Sequence, residues 1–153
     1  MTPGDRWRRE LEAARGPVDA WIEGIPAEAW LVTRSGTWSR KDLLGHLTAW
    51  SDLLLDQAEA LRDNRPDAVG LVDVNAWNAL EIARRRAWPV EAIIEGWRRS
   101  ALRADRLLAA VPPEAWAGRW NVAWSLEPVS IDDVLRLMVV HIGQHGPALS
   151  NDT

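Results

Sequence analysis

The chain has 153 residues, a formal net charge of −4, 47% hydrophobic residues, 11 tryptophans, and no cysteine, tyrosine or phenylalanine. This length suits one hydrophobic core and is short for two, so a single domain over residues 1–153 is expected. The charge gives no nucleic-acid footprint, no apolar run is long enough for a membrane span, and the start Met1-Thr2-Pro3-Gly4-Asp5-Arg6 is unlike a signal peptide. The lack of cysteine excludes a disulfide framework and a thiolate metal site, and a cytoplasmic location is the default expectation.

In chain order, Trp7, Leu11, Ala14, Val18, Trp21 and Ile25 are spaced by four and three, which predicts a first helix that Gly16-Pro17 should kink. A second helix starts at Ser39, a good N-cap, with Asp42 completing a capping box and Trp38 placed to staple onto Leu43. It should run to about Asp63 and stop at Asn64-Arg65-Pro66-Asp67. Asp73 caps the third helix, which Trp88-Pro89 interrupts; Pro89 suits the first position of a continuation. That continuation carries Val90, Ile93, Ile94, Trp97, Ala101, Ala104, Leu108 and Val111 and ends at Pro112-Pro113. A last helix spans about Ser130 to Ala148.

No segment alternates like a strand, so the fold class is all-α. The segment Ile25-Pro26-Ala27-Glu28-Ala29-Trp30 is echoed by Val111-Pro112-Pro113-Glu114-Ala115-Trp116, and each is followed by a Trp-Ser pair (Trp38-Ser39, Trp124-Ser125). Two such repeats imply two helical hairpins packed as a four-helix bundle.

All three histidines fall on the apolar faces of these helices. At 100° per residue, His141 and His145 share an arc with Ile131, Val134, Leu135, Met138, Ile142 and Leu149, while Asp132, Asp133, Arg136, Gly143 and Gln144 fall opposite. His46 similarly sits with Leu43, Trp50, Leu53, Leu54 and Leu61. Side chains at i and i+4 have Cβ atoms about 5–6 Å apart, so His141 and His145 can turn their ring nitrogens onto one ion, with His46 a third ligand between the second and last helices. An isolated pair of this kind is more often ordinary core or surface, but unpaired imidazoles on a core face are costly, which favours the shared metal.

Three neutral imidazoles suit zinc or nickel first, with iron also possible in principle, and leave positions open for water or substrate. With all three as ligands, no histidine remains as a general base, and there is no phenol or thiol. Catalysis then falls to metal-bound water, carboxylates, hydroxyls or arginine. Asp42 is one turn from His46, although its capping role is the stronger reading. Trp50 should flank the metal or simply pack in the core. Asn75 and Asn78 either meet a ligand at the pocket mouth or serve as caps and turn residues. Arg84, Arg85 and Arg86 either meet an anionic thiol cofactor or form, with Arg98-Arg99, solvated helix faces.

The run Gly36-Thr37-Trp38-Ser39-Arg40-Lys41-Asp42-Leu43-Leu44-Gly45-His46-Leu47, followed by a long third helix and then His141-x-x-x-His145, resembles the DinB-like metal-binding four-helix bundles. That superfamily includes bacillithiol- and mycothiol-dependent transferases and maleylpyruvate isomerases, and Asp73-Val74-Asn75-Ala76-Trp77-Asn78 resembles the opening of the third helix in one branch of it. The resemblance implies a metal triad at His46, His141 and His145, a small-molecule substrate, a low-molecular-weight thiol as co-substrate, and a homodimer. A non-catalytic binding or stress-protection protein with the same pocket is the alternative. Periodicity places Trp7, Trp21 and Trp97 in the core. It leaves Trp30, Trp77, Trp88, Trp116, Trp120 and Trp124 for a pocket or a subunit interface, away from the polar outer face of the last helix.

Overall fold

The computed structural model describes residues 1–33, 38–70 and 73–150; Gly36 and Thr37 of the motif lie outside the described residues. Its α-helices are α1 (Pro3–Gly24), α2 (Arg40–Arg62), α3 (Val74–Arg86), α4 (Val90–Ala110), α5 (Pro113–Trp116) and α6 (Ile131–His145). The same chemistry starts three of the long ones. Thr2-x-x-Asp5, Ser39-x-x-Asp42 and Ser130-x-x-Asp133 each form a capping box, in which the hydroxyl accepts from the aspartate N–H and the carboxylate accepts from the cap N–H. Asp73 caps α3 by accepting from Ala76 N–H at 3.0 Å. Asn64, at φ 53°, ends α2 in the left-handed turn that asparagine tolerates.

One local expectation is corrected. Pro89 is the N-cap of α4, with extended backbone, and Val90 takes the first helical position. The helix α1 continues through Gly16-Pro17, both exposed, where water can meet the carbonyl that proline leaves without a donor.

The long helices α1, α2, α4 and α6 form a ring in which α1 and α2 each pack between α4 and α6. Ion pairs and hydrogen bonds give the directions. Asp19 meets Trp97 and Arg8 meets Asp105, so α1 and α4 are antiparallel. Trp7 meets Asp132 near their starts, so α1 and α6 are parallel. Thr48 lies against Gly96, and Arg103 grips Asp56 and Glu59, so α2 and α4 are also parallel. The topology is up-down-down-up, with α3 running back along α2 so that α4 can repeat its direction.

This corrects the picture of two hairpins: α1 and α2 are diagonal and barely touch, as are α4 and α6. The sequence repeat is nevertheless structural. After α1, Pro26 caps the 3-10 turn Ala27–Ala29, and after α4, Pro112 caps α5. Each turn leads to an isolated antiparallel bridge, Thr33 with Ser39 and Trp120 with Val129, and then to a boxed serine, Ser39 or Ser130. The counterpart of Ser39 is therefore Ser130 rather than Ser125.

The buried side chains form one continuous cluster with Leu44, Leu47, Leu54, Leu55, Ile93, Trp97, Ile131, Leu135 and Met138 at its centre. Arg15 enters it unannounced by periodicity; its guanidinium lies 3.8 Å over the Trp97 ring and donates to Trp97 O and Ser100 Oγ. Of the tryptophans left for a pocket or an interface, Trp77, Trp116, Trp120 and Trp124 are half-buried. Trp30 is core, and of the 11 tryptophans only Trp88 is exposed. On α6 the outer face is less polar than expected, with Leu137 and Val140 both exposed. Among the described residues no helix is long and apolar enough to cross a membrane.

Leu135 is fully buried between the ring helices, so Leu135→Ala should lower the unfolding free energy by about 2–5 kcal/mol. Ser39→Ala removes one cap and should cost about 1 kcal/mol. Urea denaturation of the two variants checks both size and order.

Candidate metal centre

His46 lies in the second turn of α2, and His141 and His145 in the last turns of α6. These segments meet because α2 and α6 are antiparallel. Arg40, at the first position of α2, fastens the contact by donating to Leu149 O at 3.2 Å and Ser150 O at 3.1 Å, in the 3-10 turn (Gly146–Leu149) and C-cap that follow α6.

The three imidazoles each present a ring nitrogen within 4.8 Å of the others. His46 Nε2 and His141 Nε2 are 3.0 Å apart, and the ring centroids lie 4.8 Å (His46–His141), 5.1 Å (His46–His145) and 4.7 Å (His141–His145) from one another. Burial first, and the neighbouring His141 and His145 second, push the His46 imidazole down to about 3. Burial and then His145 push His141 down to about 4, and burial also lowers His145. All three are therefore neutral near pH 7, the form that ligates. Two nitrogens 3.0 Å apart can each reach one ion at about 2.0–2.1 Å with an angle between them of roughly 90°. Donor type, protonation and spacing fit a divalent transition metal.

Around the triad, Trp38 tilts over His46 at 4.8 Å, and Trp50 sits 5.4 Å from His141 and 6.4 Å from His46. Trp50 thus flanks the histidines as its position on α2 predicts. It is held there by α3: its Nε1–H donates to Asn78 Oδ1 at 2.8 Å, and Trp77 packs edge-on at 5.0 Å. Asn78 is a positioning partner for Trp50, and neither it nor Asn75 caps α3. Asn75 and Asn78 instead line a cavity of about 360 Å³ with Trp38, Ile82 and Arg86. A second cavity of about 320 Å³, mostly apolar, is lined in part by Trp50.

The remaining charged candidates are committed elsewhere. Asp42 closes the α2 capping box and pairs with Arg86. Lys41 donates to Arg86 O at 2.8 Å. Arg85, expected on a solvated face, is buried; it pairs with Glu81 and lies against Gly45, where an added Cβ would stand 3.2 Å from its Cδ. The glycine before His46 thus makes room for the arginine stem. Among the described residues the cluster contains no carboxylate.

The chain matches the DinB superfamily over residues 10–147 and belongs to it. Its fold is similar to that in the crystal structure of the mycothiol-dependent maleylpyruvate isomerase, with a TM-score of 0.80 and 13% sequence identity, over 97% of this chain and 61% of that one. The chain thus spans less than two thirds of that protein, and the likeness is one of fold. No curated protein matches it.

Histidines held below the ordinary value of 6.5 bind fewer protons folded than unfolded. Their contribution to stability is complete above pH 6.5 and is lost as pH falls toward the folded values of about 4 for His141 and about 3 for His46. In chelator-treated protein the urea midpoint should therefore drop between pH 6.5 and pH 4, and His46→Gln should flatten that drop. A profile identical in the variant contradicts the assignment.

Proposed function

We propose that His46, His141 and His145 hold one divalent transition metal ion, zinc or nickel ahead of iron, and that the chain is a metal-dependent enzyme acting on a small molecule by thiol S-transfer, isomerisation or hydrolysis. The observation that carries this reading is the convergence of three neutral imidazole nitrogens within 4.8 Å, in a chain that has no other histidine. An ion in such a site supplies a Lewis acid that lowers the pKa of a water or thiol and polarises a carbonyl. The side chains supply the rest. Burial keeps the imidazoles deprotonated, so ligation does not compete with protons near pH 7. Trp38 and Trp50 restrict water on either side, and Asn78 fixes the Trp50 ring. The similar fold of a mycothiol-dependent enzyme supports a low-molecular-weight thiol as the co-substrate. The same reading takes residues 1–153 as one cytoplasmic domain working as a homodimer, for which light scattering should give twice the 17.2 kDa chain mass.

One observation favours a second reading, a binding or protective protein without turnover. Among the described residues the cluster holds no carboxylate, and Asp42 and Glu81 are engaged with arginines, so neither of these two carboxylates stands free to relay a proton.

Elemental analysis should find about one transition metal per chain. His46→Ala, His141→Ala and His145→Ala should each weaken zinc or nickel binding by more than about 100-fold, beyond what losing an outer hydrogen bond costs. If chelator-stripped protein takes up neither metal, the reading fails. Metal-loaded protein should then turn over an electrophile in a screen with low-molecular-weight thiols. Full metal occupancy without any turnover selects the binding protein.

A further inference from the structure

Asn75, Asn78, Ala79, Ile82 and Arg86 fall at helical spacing along one stripe of α3, and with Trp38 they line the cavity of about 360 Å³. Trp38 is also the ring that tilts over His46 at 4.8 Å, so one indole borders both the cavity and the triad.

The polar groups of this stripe are chiefly donors. An indole N–H can only donate, so the 2.8 Å bond from Trp50 Nε1 to Asn78 Oδ1 fixes that amide with its oxygen toward Trp50 and its Nδ2 turned away. Nδ2 has no partner among the described residues, and it is not sealed in the core as the unpartnered atoms of Gln57 and Trp124 are. Arg86 turns Nε and Nη2 toward Asp42, each at 3.4 Å, which leaves Nη1 without a partner among the described residues. The other two arginines of the last turn are taken, since Arg84 and Arg85 both pair with Glu81 and lie over Trp88. The exposed Asn75 amide can turn its N–H groups the same way. Among the described residues no carboxylate lines the cavity.

We infer that this cavity binds the carboxylate of the substrate, with Arg86 Nη1 and Asn78 Nδ2 donating to its oxygens and the attached carbons lying against Trp38 and Ile82. Arg86 is the one cation in the described lining and already shares its charge with Asp42. It can offset one negative charge but not two, which selects a carboxylate over a phosphate. The small Ala79 leaves room in the middle of the stripe, and the volume suits the carboxylate and one ring. The inference deepens the proposed reaction by naming its substrate as a small carboxylic acid. It rests on the metal reading for the chemistry at the triad, whereas the binding belongs to α3 and Trp38.

Phenylacetate and phenylacetamide share a shape and differ in charge, which makes them suitable probes. Calorimetry is run on the full chain, both zinc-loaded and chelator-stripped, with metal content measured in each; the stripped form removes direct coordination of the probe by the ion. Phenylacetate should bind about tenfold more tightly in both forms, the margin of a charge-assisted over a neutral hydrogen bond. Arg86→Gln should erase that preference. Asn78→Asp keeps an oxygen for the Trp50 indole but replaces the N–H donors with a negative charge. It should weaken phenylacetate by more than about tenfold and leave phenylacetamide within about twofold. Ala79→Leu, at an exposed helix position, should weaken both probes by filling the cavity. Benzylphosphonate, with the same ring and a second ionisation, should bind no more tightly than phenylacetate.

Equal affinity for phenylacetate and phenylacetamide, a preference that survives Arg86→Gln, unchanged binding in Ala79→Leu, or tighter binding of benzylphosphonate overturns the inference. A preference seen only with zinc puts the carboxylate on the ion and overturns it as well. Should Arg86→Gln not fold, Asn78→Asp and Ala79→Leu decide the matter. Metal uptake without carboxylate preference defeats this proposal and leaves the metal site standing. Carboxylate preference in a chain that takes up neither zinc nor nickel upholds the cavity and defeats the metal reading.

Discussion

Everything at the site depends on one contact, the antiparallel packing of the start of α2 against the end of α6. It brings together His46 and His141, 95 residues apart in sequence, and it has to be right in rotation as well as position, because an imbalance of one residue turns an imidazole about 100° around its helix. The two capping boxes set that phase. Ser39 fixes where α2 begins, so His46 arrives on the inner face in the second turn; Ser130 does the same for α6 and its two histidines. Arg40 then locks the helix end to the backbone carbonyls beyond His145. Side chains that look like local helix punctuation therefore set the geometry of a site assembled from both ends of the chain.

The bundle holds two kinds of buried polar group. Arg15 and Arg85 are anchored: one lies over Trp97 with carbonyl and hydroxyl acceptors, and the other pairs with Glu81. They tie α1 to α4 and brace α3 against α2, although Arg15 Nη1 is buried without a hydrogen-bond partner. The histidine triad is of the second kind, polar atoms turned toward one another. Trp50 borders the triad and also lines the cavity of about 320 Å³.

Much of this was legible in the sequence. The helix starts at Ser39, Asp73 and Ser130, the stop after Asp63 and the inward stripe of α6 all follow from capping chemistry and a period of 3.6, and the structure has them. Capping and periodicity are local, which is why they read true. The arrangement of the helices was not local. Nothing within α1 or α2 states that they are diagonal; that depends on α3 reversing the chain between two parallel helices. Arg85 was misplaced for a related reason, since an arginine is buried only where another element brings it an acceptor or a stacking face. Several tryptophans were hard to place because they lie outside the helices: Trp30, Trp120 and Trp124 pack from turns and loops against a core that periodicity counts only along helices.

The diagonal placement of α1 with α2, and of α4 with α6, has a consequence for how the chain acquires its structure. In a bundle of hairpins each half buries its own apolar stripes and can hold together before the other half is made. Here neither half can, because every extensive helix–helix interface in the ring joins the first half to the second. The stripe of α2 stays uncovered until α4 and α6 exist, and the last of these ends at His145. For an all-helical protein this is an unusually non-local set of contacts, so folding should be slower than helix content suggests, and cooperative, without a populated half-folded intermediate. On the ribosome, the chain gains its stable core only after the final helix has emerged.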